Sequence, residues 1–136
     1  MTLNLKEFKR FEKQIILKKI GISGQKKIKK AKVLIIGMGG LGCPLLTYLV
    51  SSGINNIGIV DHDKIELGNL NRQILFNTSD LGKYKVNQAK IKIKKIYNQI
   101  KIKTLKIKIT KENIKTILMG YDVICDGTDN FDTRLL

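Results

Sequence analysis

Gly37-Met38-Gly39-Gly40-Leu41-Gly42 is a Gly-x-Gly-x-x-Gly series directly after the β-branched apolar run Val33 to Ile36, and a second apolar run, Ile57 to Val60, ends on Asp61. Glycines there permit a tight turn and close approach of backbone to a ligand. The helix that follows offers unpaired N–H groups to a phosphate, and an acid at the end of the next strand accepts ribose hydroxyls. The plainer reading, in which the glycines merely turn the chain and Asp61 caps a loop, does not account for strand, helix and acid occurring together. The sequence therefore predicts a nucleotide site that includes Gly37, Gly39, Gly40, Gly42 and Asp61.

More polar residues follow in order: Asp61-His62-Asp63, then Gly68-Asn69-Leu70-Asn71-Arg72-Gln73, then Lys85 opening an amphipathic stretch, then Thr128-Asp129-Asn130 after the last apolar run. Taken singly, Arg72 and Lys85 read as solvated charges and Asp129-Asn130 as a turn. His62, the sole histidine, carries no assigned role. Two chemistries compete for the glycine fingerprint. A nicotinamide-dependent oxidoreductase uses the glycines and Asp61 but leaves Arg72, Lys85 and Asp129 unexplained as a set. From Arg10-Phe11-Glu12-Lys13-Gln14-Ile15-Ile16-Leu17 to the end of the chain, the whole series resembles the ThiF/MoeB/HesA family of adenylyltransferases.

That resemblance implies ATP-dependent adenylation of the C-terminal glycine of a ubiquitin-like sulfur-carrier protein ending in Gly-Gly, in a thiamine or molybdopterin pathway. Gly68, Asn69, Arg72, Gln73 and Lys85 then belong to the nucleotide site, with Arg72 and Lys85 acting on the phosphates. Asp63, Asp129 and Asn130 belong to that site too: Asp129 holds Mg²⁺ with Asn130 beside it, and Asp63 is a weaker metal candidate. Pro44 and Gln73-Ile74-Leu75-Phe76 lean slightly toward the thiamine branch. A non-catalytic basic nucleotide-binding scaffold is the reading from outside enzymology.

The chain departs from the family in two places. A basic residue near the N-terminus, normally arginine, reaches the partner subunit's site in a dimer; here Lys13 stands at that position, a point charge in place of a planar fork. The family's paired Cys-x-x-Cys zinc ligands and its groove for the carrier tail have no counterpart, because the chain ends at Leu136. The expectation is a truncated or split member, paired as a homodimer or completed by a second chain.

The elements that must position these residues are readable from periodicity. Leu5, Phe8, Phe11, Ile15 and Ile16 recur at helical spacing before Gly21 and Gly24, predicting an N-terminal helix and then a loop, together an arm over residues 1–30. Leu41, Leu45, Tyr48 and Leu49 place a helix between the first two strands, and a β-α-β unit implies a parallel sheet. Val86, Ala89, Ile93, Ile96, Tyr97 and Ile100 trace one face of a further helix. Ile100 to Ile109 alternates as a strand near a sheet edge, Thr110 is placed to cap a short helix, and Asp122 to Cys125 makes a fourth strand. The sum over residues 31–136 is a Rossmann-like, open doubly wound α/β domain with a mainly parallel sheet, truncated after about the fourth strand.

Composition bounds the remainder. The 136 residues suit one core, and the net charge of +15 comes almost wholly from lysine, since only Arg10, Arg72 and Arg134 are arginine. Such a surface attracts polyanions in a salt-dependent way, but four phenylalanines, four tyrosines and no tryptophan leave few platforms for base stacking. No specific nucleic-acid partner is expected. Two distant cysteines, Cys43 and Cys125, make neither a disulfide framework nor a zinc set. The uncharged stretch Val33 to Val60 is broken by its glycines, Pro44 and a polar run, so no membrane span is expected and a cytoplasmic setting fits.

Overall fold

The computed structural model describes residues 2–136, with the side chain of Phe131 left aside. Helix α1 (Leu5–Ile15) begins at a reciprocal cap: Asn4 Oδ1 accepts the Glu7 N–H and Glu7 Oε2 accepts the Asn4 N–H, both at 2.9 Å. Of its expected apolar face only Phe11 is fully buried, while Leu5 and Ile16 stay exposed.

The stretch after it, expected as a loop, is instead helix α2 (Gly21–Lys30). Tertiary contacts override two glycines of low helix propensity. Gln25 is buried and donates from Nε2 to the Ser52 carbonyl at 2.8 Å. Lys29 is buried against Glu7, with Nζ 2.6 Å from Oε1, and Lys27, Lys29 and Lys30 occupy the last turn, where the helix dipole favours cations. The N-terminal arm is therefore docked onto the domain: Gln14 also donates to Ser52 O, and Phe11 meets Tyr97 edge-on with centroids 6.5 Å apart.

Strands β1 (Lys32–Ile36), β2 (Asn56–Val60), β3 (Lys101–Leu105) and β4 (Val123–Asp126) form one sheet in the order β3-β2-β1-β4, and every pairing is parallel. Helices α3 (Gly42–Ser51), α4 (Lys85–Ile96), α5 (Ile114–Leu118) and α6 (Phe131–Arg134) complete the chain. Val33, Ile35, Ile57, Ile59 and Ile102 share one core with Leu46, Val50, Val86, Ala89 and Ile93. Leu34, Ile36 and Val60 point the other way, into a smaller core with Ile109 and Ile117. β4 is an outer strand that leaves Val123 and Ile124 exposed.

Three local expectations are corrected. Along α3 the buried stripe is Cys43, Leu46 and Val50, and Leu41 and Tyr48 are solvent-facing, because a helix apolar on most sides carries two stripes of valid spacing and packing selects one. β3 stops at Leu105, and the chain turns so that Ile109 enters the smaller core. Asn113, not Thr110, stands at the start of α5; its Oδ1 accepts the Thr110 N–H at 2.9 Å. No helix among the described residues is long and apolar enough to cross a membrane.

Buried charge ties α1 to α2, and the Tyr97 hydroxyl links that pair to the rest of the chain. Burial opposes ionisation of Glu7, yet Lys29, the Asn4 N–H and the Tyr97 hydroxyl, which donates to Oε1 at 3.1 Å, outweigh it and hold the carboxyl below its ordinary 4.5. Asp80 is likewise buried and held below 3.8 by Lys92 and the Asn77 N–H. A depressed carboxyl stabilises the fold above its unfolded value and loses that contribution as pH falls through the folded one. Denaturant unfolding should therefore show stability falling on acidification below the ordinary carboxylate range. Lys29→Met should cost about 3–5 kcal/mol at neutral pH by stranding a buried carboxylate, with the double variant Glu7→Gln/Lys29→Met restoring part of it.

Candidate nucleotide site

In a parallel sheet the loops at the carboxyl ends of the strands converge, and ligands bind there. A cavity of about 540 Å³ opens at that end of β1, β2 and β4. Its floor is backbone. Gly37 has φ +88° and donates to the Val60 carbonyl at 2.8 Å, and a Cβ on it would sit 3.1 Å from the carbonyl carbon and oxygen of Gly127. A Cβ on Gly42 would run into the Gly37 carbonyl oxygen, and one on Gly127 would lie 3.2 Å from the Gly42 nitrogen. Three stretches of main chain thus meet where Gly42 has no room for a side chain, Gly37 has a backbone conformation that favours glycine, and Gly127 is tightly packed.

Asp61 fastens this floor to β2. Its Oδ2 accepts the Met38 N–H at 2.7 Å and its Oδ1 the Asp63 N–H at 2.8 Å. Each oxygen can accept a second hydrogen bond, so shaping the glycine loop is compatible with contacting a sugar hydroxyl.

The next wall grows from a 3-10 turn, Leu67–Asn69. Asn69 Oδ1 closes the turn by accepting the Glu66 N–H at 3.0 Å, and the Asn69 carbonyl receives the N–H groups of Arg72 and Gln73. Arg72 is held at Nη1 by the Gly68 carbonyl at 3.0 Å and Asn71 Oδ1 at 3.1 Å, and its Cγ would lie 3.3 Å from a Cβ on Gly40. Gln73 is buried at 3% exposure and its Oε1 has no hydrogen-bond partner. A buried acceptor left without a donor is costly, so a donor from a bound molecule or water suits this position.

Lys85, the first residue of α4, is only 6% exposed, and its Nζ meets Asp63 Oδ2 at 3.1 Å. His62 Nε2 lies 3.4 Å from the other oxygen of Asp63. Across the cavity, Asp126 Oδ1 accepts the N–H and hydroxyl of Thr128 at 2.9 and 2.6 Å, and Asn130 Oδ1 accepts the Thr133 N–H. Arg134 donates from Nη2 to the Thr128 carbonyl at 2.6 Å. Between them Asp129 presents an exposed carboxylate on the cavity wall.

Gly37, Gly39, Gly40, Asp61, Asp63, Asn69, Arg72, Gln73, Lys85, Asp129 and Asn130 all line the cavity. Gly42 lies behind the loop as a packing position, and Gly68 acts through its carbonyl on Arg72. Lys13 is exposed on α1 and does not line the cavity of its own chain. Sequence reasoning passed over His62, Lys108 and Arg134, which also line it. Arg134 follows Asn130 by one helical turn and was detectable on that ground, whereas Lys108 sits in an alternating lysine-isoleucine stretch that marks no position.

The donor set also bears on metals. Asp61, His62 and Asp63 bring ligand atoms within 4.8 Å of one another, but the two carboxylates are already engaged by main-chain N–H groups, Lys85 and His62. Mg²⁺ takes one or two carboxylates plus phosphate oxygens and water, which Asp129 fits better. The zinc that the resemblance associates with the family does not fit: the chain has two cysteines, and the thiol of Cys43 is buried in the core, where desolvation pushes it up to about 12.

Gly42→Ala should distort the glycine loop, lowering stability by about 1–3 kcal/mol as overpacking does and weakening nucleotide binding; thermal melts and a nucleotide titration read the two effects. Unchanged affinity in a folded variant would show that the loop adapts and that its shape is not critical.

The sequence pattern of the ThiF family matches residues 11–136. The chain is 46% identical over 134 residues to an adenylyltransferase and sulfurtransferase MOCS3 of Culex quinquefasciatus, covering 98% of this chain and 31% of that protein. It is 38% identical over 136 residues to a sulfur carrier protein adenylyltransferase of Thermus thermophilus, covering 100% of this chain and 50% of that one. The crystal structure of E. coli MccB with ATP superposes with a TM-score of 0.73 at 34% identity, over 78% of this chain and 31% of that one. The chain thus spans a third to a half of the length of these relatives, and the lean toward the thiamine branch finds no support in their names. With its pattern matched over nearly the whole chain, on a fold and cavity of the kind the motif order implies, this protein belongs to the ThiF family.

Proposed function

We propose that this chain is the nucleotide-binding part of an ATP-dependent adenylyltransferase acting on the C-terminal glycine of a ubiquitin-like sulfur-carrier protein ending in Gly-Gly. The observation that carries the reading is the convergence of Arg72, Gln73, Lys85 and Asp129 on one cavity with the glycine loop and Asp61. The names of the two relatives and the ATP in MccB support it.

In this reading the backbone of Gly39 and Gly40 lies along the nucleotide, Asp61 holds the ribose, and Asn69 and Gln73 offer amides to the phosphates. The carrier's terminal carboxylate oxygen attacks the α-phosphorus; a carboxylate–phosphorus bond forms, the bond to the bridging oxygen breaks, and pyrophosphate leaves with its electrons. Arg72 and Lys85 stabilise charge that grows on the non-bridging and departing oxygens, and being positioned beforehand they act without reorganisation. Asp129, with Asn130 beside it, would hold Mg²⁺, which neutralises phosphate charge when bound. In a symmetric dimer Lys13 reaches the γ-phosphate of the partner's site, with Arg10 as its substitute.

A nicotinamide oxidoreductase uses the same glycines but gives buried Lys85 no task, and a basic scaffold predicts nucleotide binding without turnover. ATP–pyrophosphate exchange with a Gly-Gly carrier separates them. Exchange should depend on the carrier and fall about 100-fold in Arg72→Ala, the scale seen when one preorganised transition-state donor is removed. NADH binding without ATP binding would revive the oxidoreductase. Mg-ATP binding without exchange would mark this stretch as needing the remainder of a longer protein or a second chain. Lys13→Ala with unchanged turnover would take that residue out of the mechanism.

A further inference from the structure

The cavity does not share the chain's large positive excess. Arg72, Lys85, Lys108 and Arg134 face three carboxylates, Asp61, Asp63 and Asp129, with His62 beside them. A site for a polyphosphate gains affinity from each cation and loses it from each carboxylate, so every acid in the wall needs a reason to be there. Asp61 shapes the glycine loop through Met38, and Asp129 suits a metal. Asp63 does neither: its side chain is half exposed, and one oxygen is spent on the buried ammonium of Lys85 at 3.1 Å.

The pairing is built in. The Lys85 N–H donates to the Asp63 carbonyl at 3.1 Å, and Lys64 and Tyr84 form an antiparallel bridge directly alongside. Main-chain bonds therefore hold the start of α4 against the segment after β2, and Nζ and Oδ2 face each other across that junction. Lysine is otherwise a flexible point charge on a long stem; here its stem is buried and its head has one fixed acceptor.

Resting on the adenylation reading, we infer that Asp63 is a positioning residue for Lys85 that trades nucleotide affinity for alignment. It aims the ammonium at the phosphates and offsets part of its charge, so that nucleotide is held less tightly and its phosphates more accurately. This distinguishes Asp63 from a direct nucleotide or metal ligand, whose loss would weaken binding.

The test is a double-mutant cycle read by equilibrium titration of the 136-residue chain with ATP, alongside exchange measurements. Asp63→Asn should bind ATP about fivefold tighter, the direction set by removing a negative charge near phosphate in a partly screened site, while exchange with the carrier falls at least tenfold. Asp63→Glu should recover part of the exchange. In a Lys85→Met background, Asp63→Asn should lose most of its effect on exchange, and thermal melts report whether each variant is folded. Weaker ATP binding in a folded Asp63→Asn protein would make Asp63 a ligand and overturn the inference. Unchanged binding and exchange, or an undiminished exchange effect without Lys85, would overturn it as well. Failure of the unsubstituted chain to bind ATP at all would sink the adenylation reading itself, a separate result.

Discussion

Backbone meeting backbone at the carboxyl end of β1 is the constraint on which the site depends. Gly37, Gly42 and Gly127 bring three segments together at distances that exclude a Cβ on Gly42 and crowd one on Gly37 or Gly127, and Asp61 ties the same loop to β2 through the Met38 N–H at 2.7 Å. That junction decides where α3 starts, how the loop after β4 runs, and therefore where Asp129 lies relative to Arg72. Polar chemistry in this protein is arranged around a piece of closely packed main chain.

The outer layers serve that arrangement at different strengths. One face of the sheet is covered by α3 and α4 with the N-terminal helices docked outside them, fixed by Gln14 and Gln25 against the Ser52 carbonyl and by the Tyr97 hydroxyl on Glu7, while the Glu7–Lys29 pair joins those helices to each other. Among the described residues, the other face is covered by α5 and the turn at Ile109. Lys85 illustrates how core and site are coupled: its neighbours Val86 and Ala89 are fully buried, so the same helix that fills the core sets the position of the ammonium. A site residue at the first turn of a well-packed helix needs less local support than one on a loop.

Electrostatics divides the molecule. The surface carries a positive excess that any polyanion feels, while the cavity is nearly balanced and its selectivity has to come from arrangement. Arg72, pinned by two acceptors, and Lys85, pinned by one, are cations whose directions are set before anything binds, which is what charge stabilisation during phosphoryl chemistry requires.

Most of the frame was legible in the chain itself. Short β-branched runs ending in Gly37 and Asp61 mark buried parallel strands, and the order of glycines, amides, cations and acids marks a nucleotide site, because each of those features is local in sequence. Legibility failed where a local pattern had two solutions or where a distant contact decided. The stripe on α3 could not be chosen from an almost wholly apolar helix. α2 looked like a loop until Gln25 and Lys29 found partners in Ser52 and Glu7. Lys108 gained its place only when separate loops were folded together. The types and order of the reactive groups were thus determined by the sequence, through short-range periodicity and glycine geometry. Which acid answers the buried cation, Asp63 with Lys85, was decided by tertiary structure alone, since that pairing joins residues brought near only by the packing of α4 against the segment after β2.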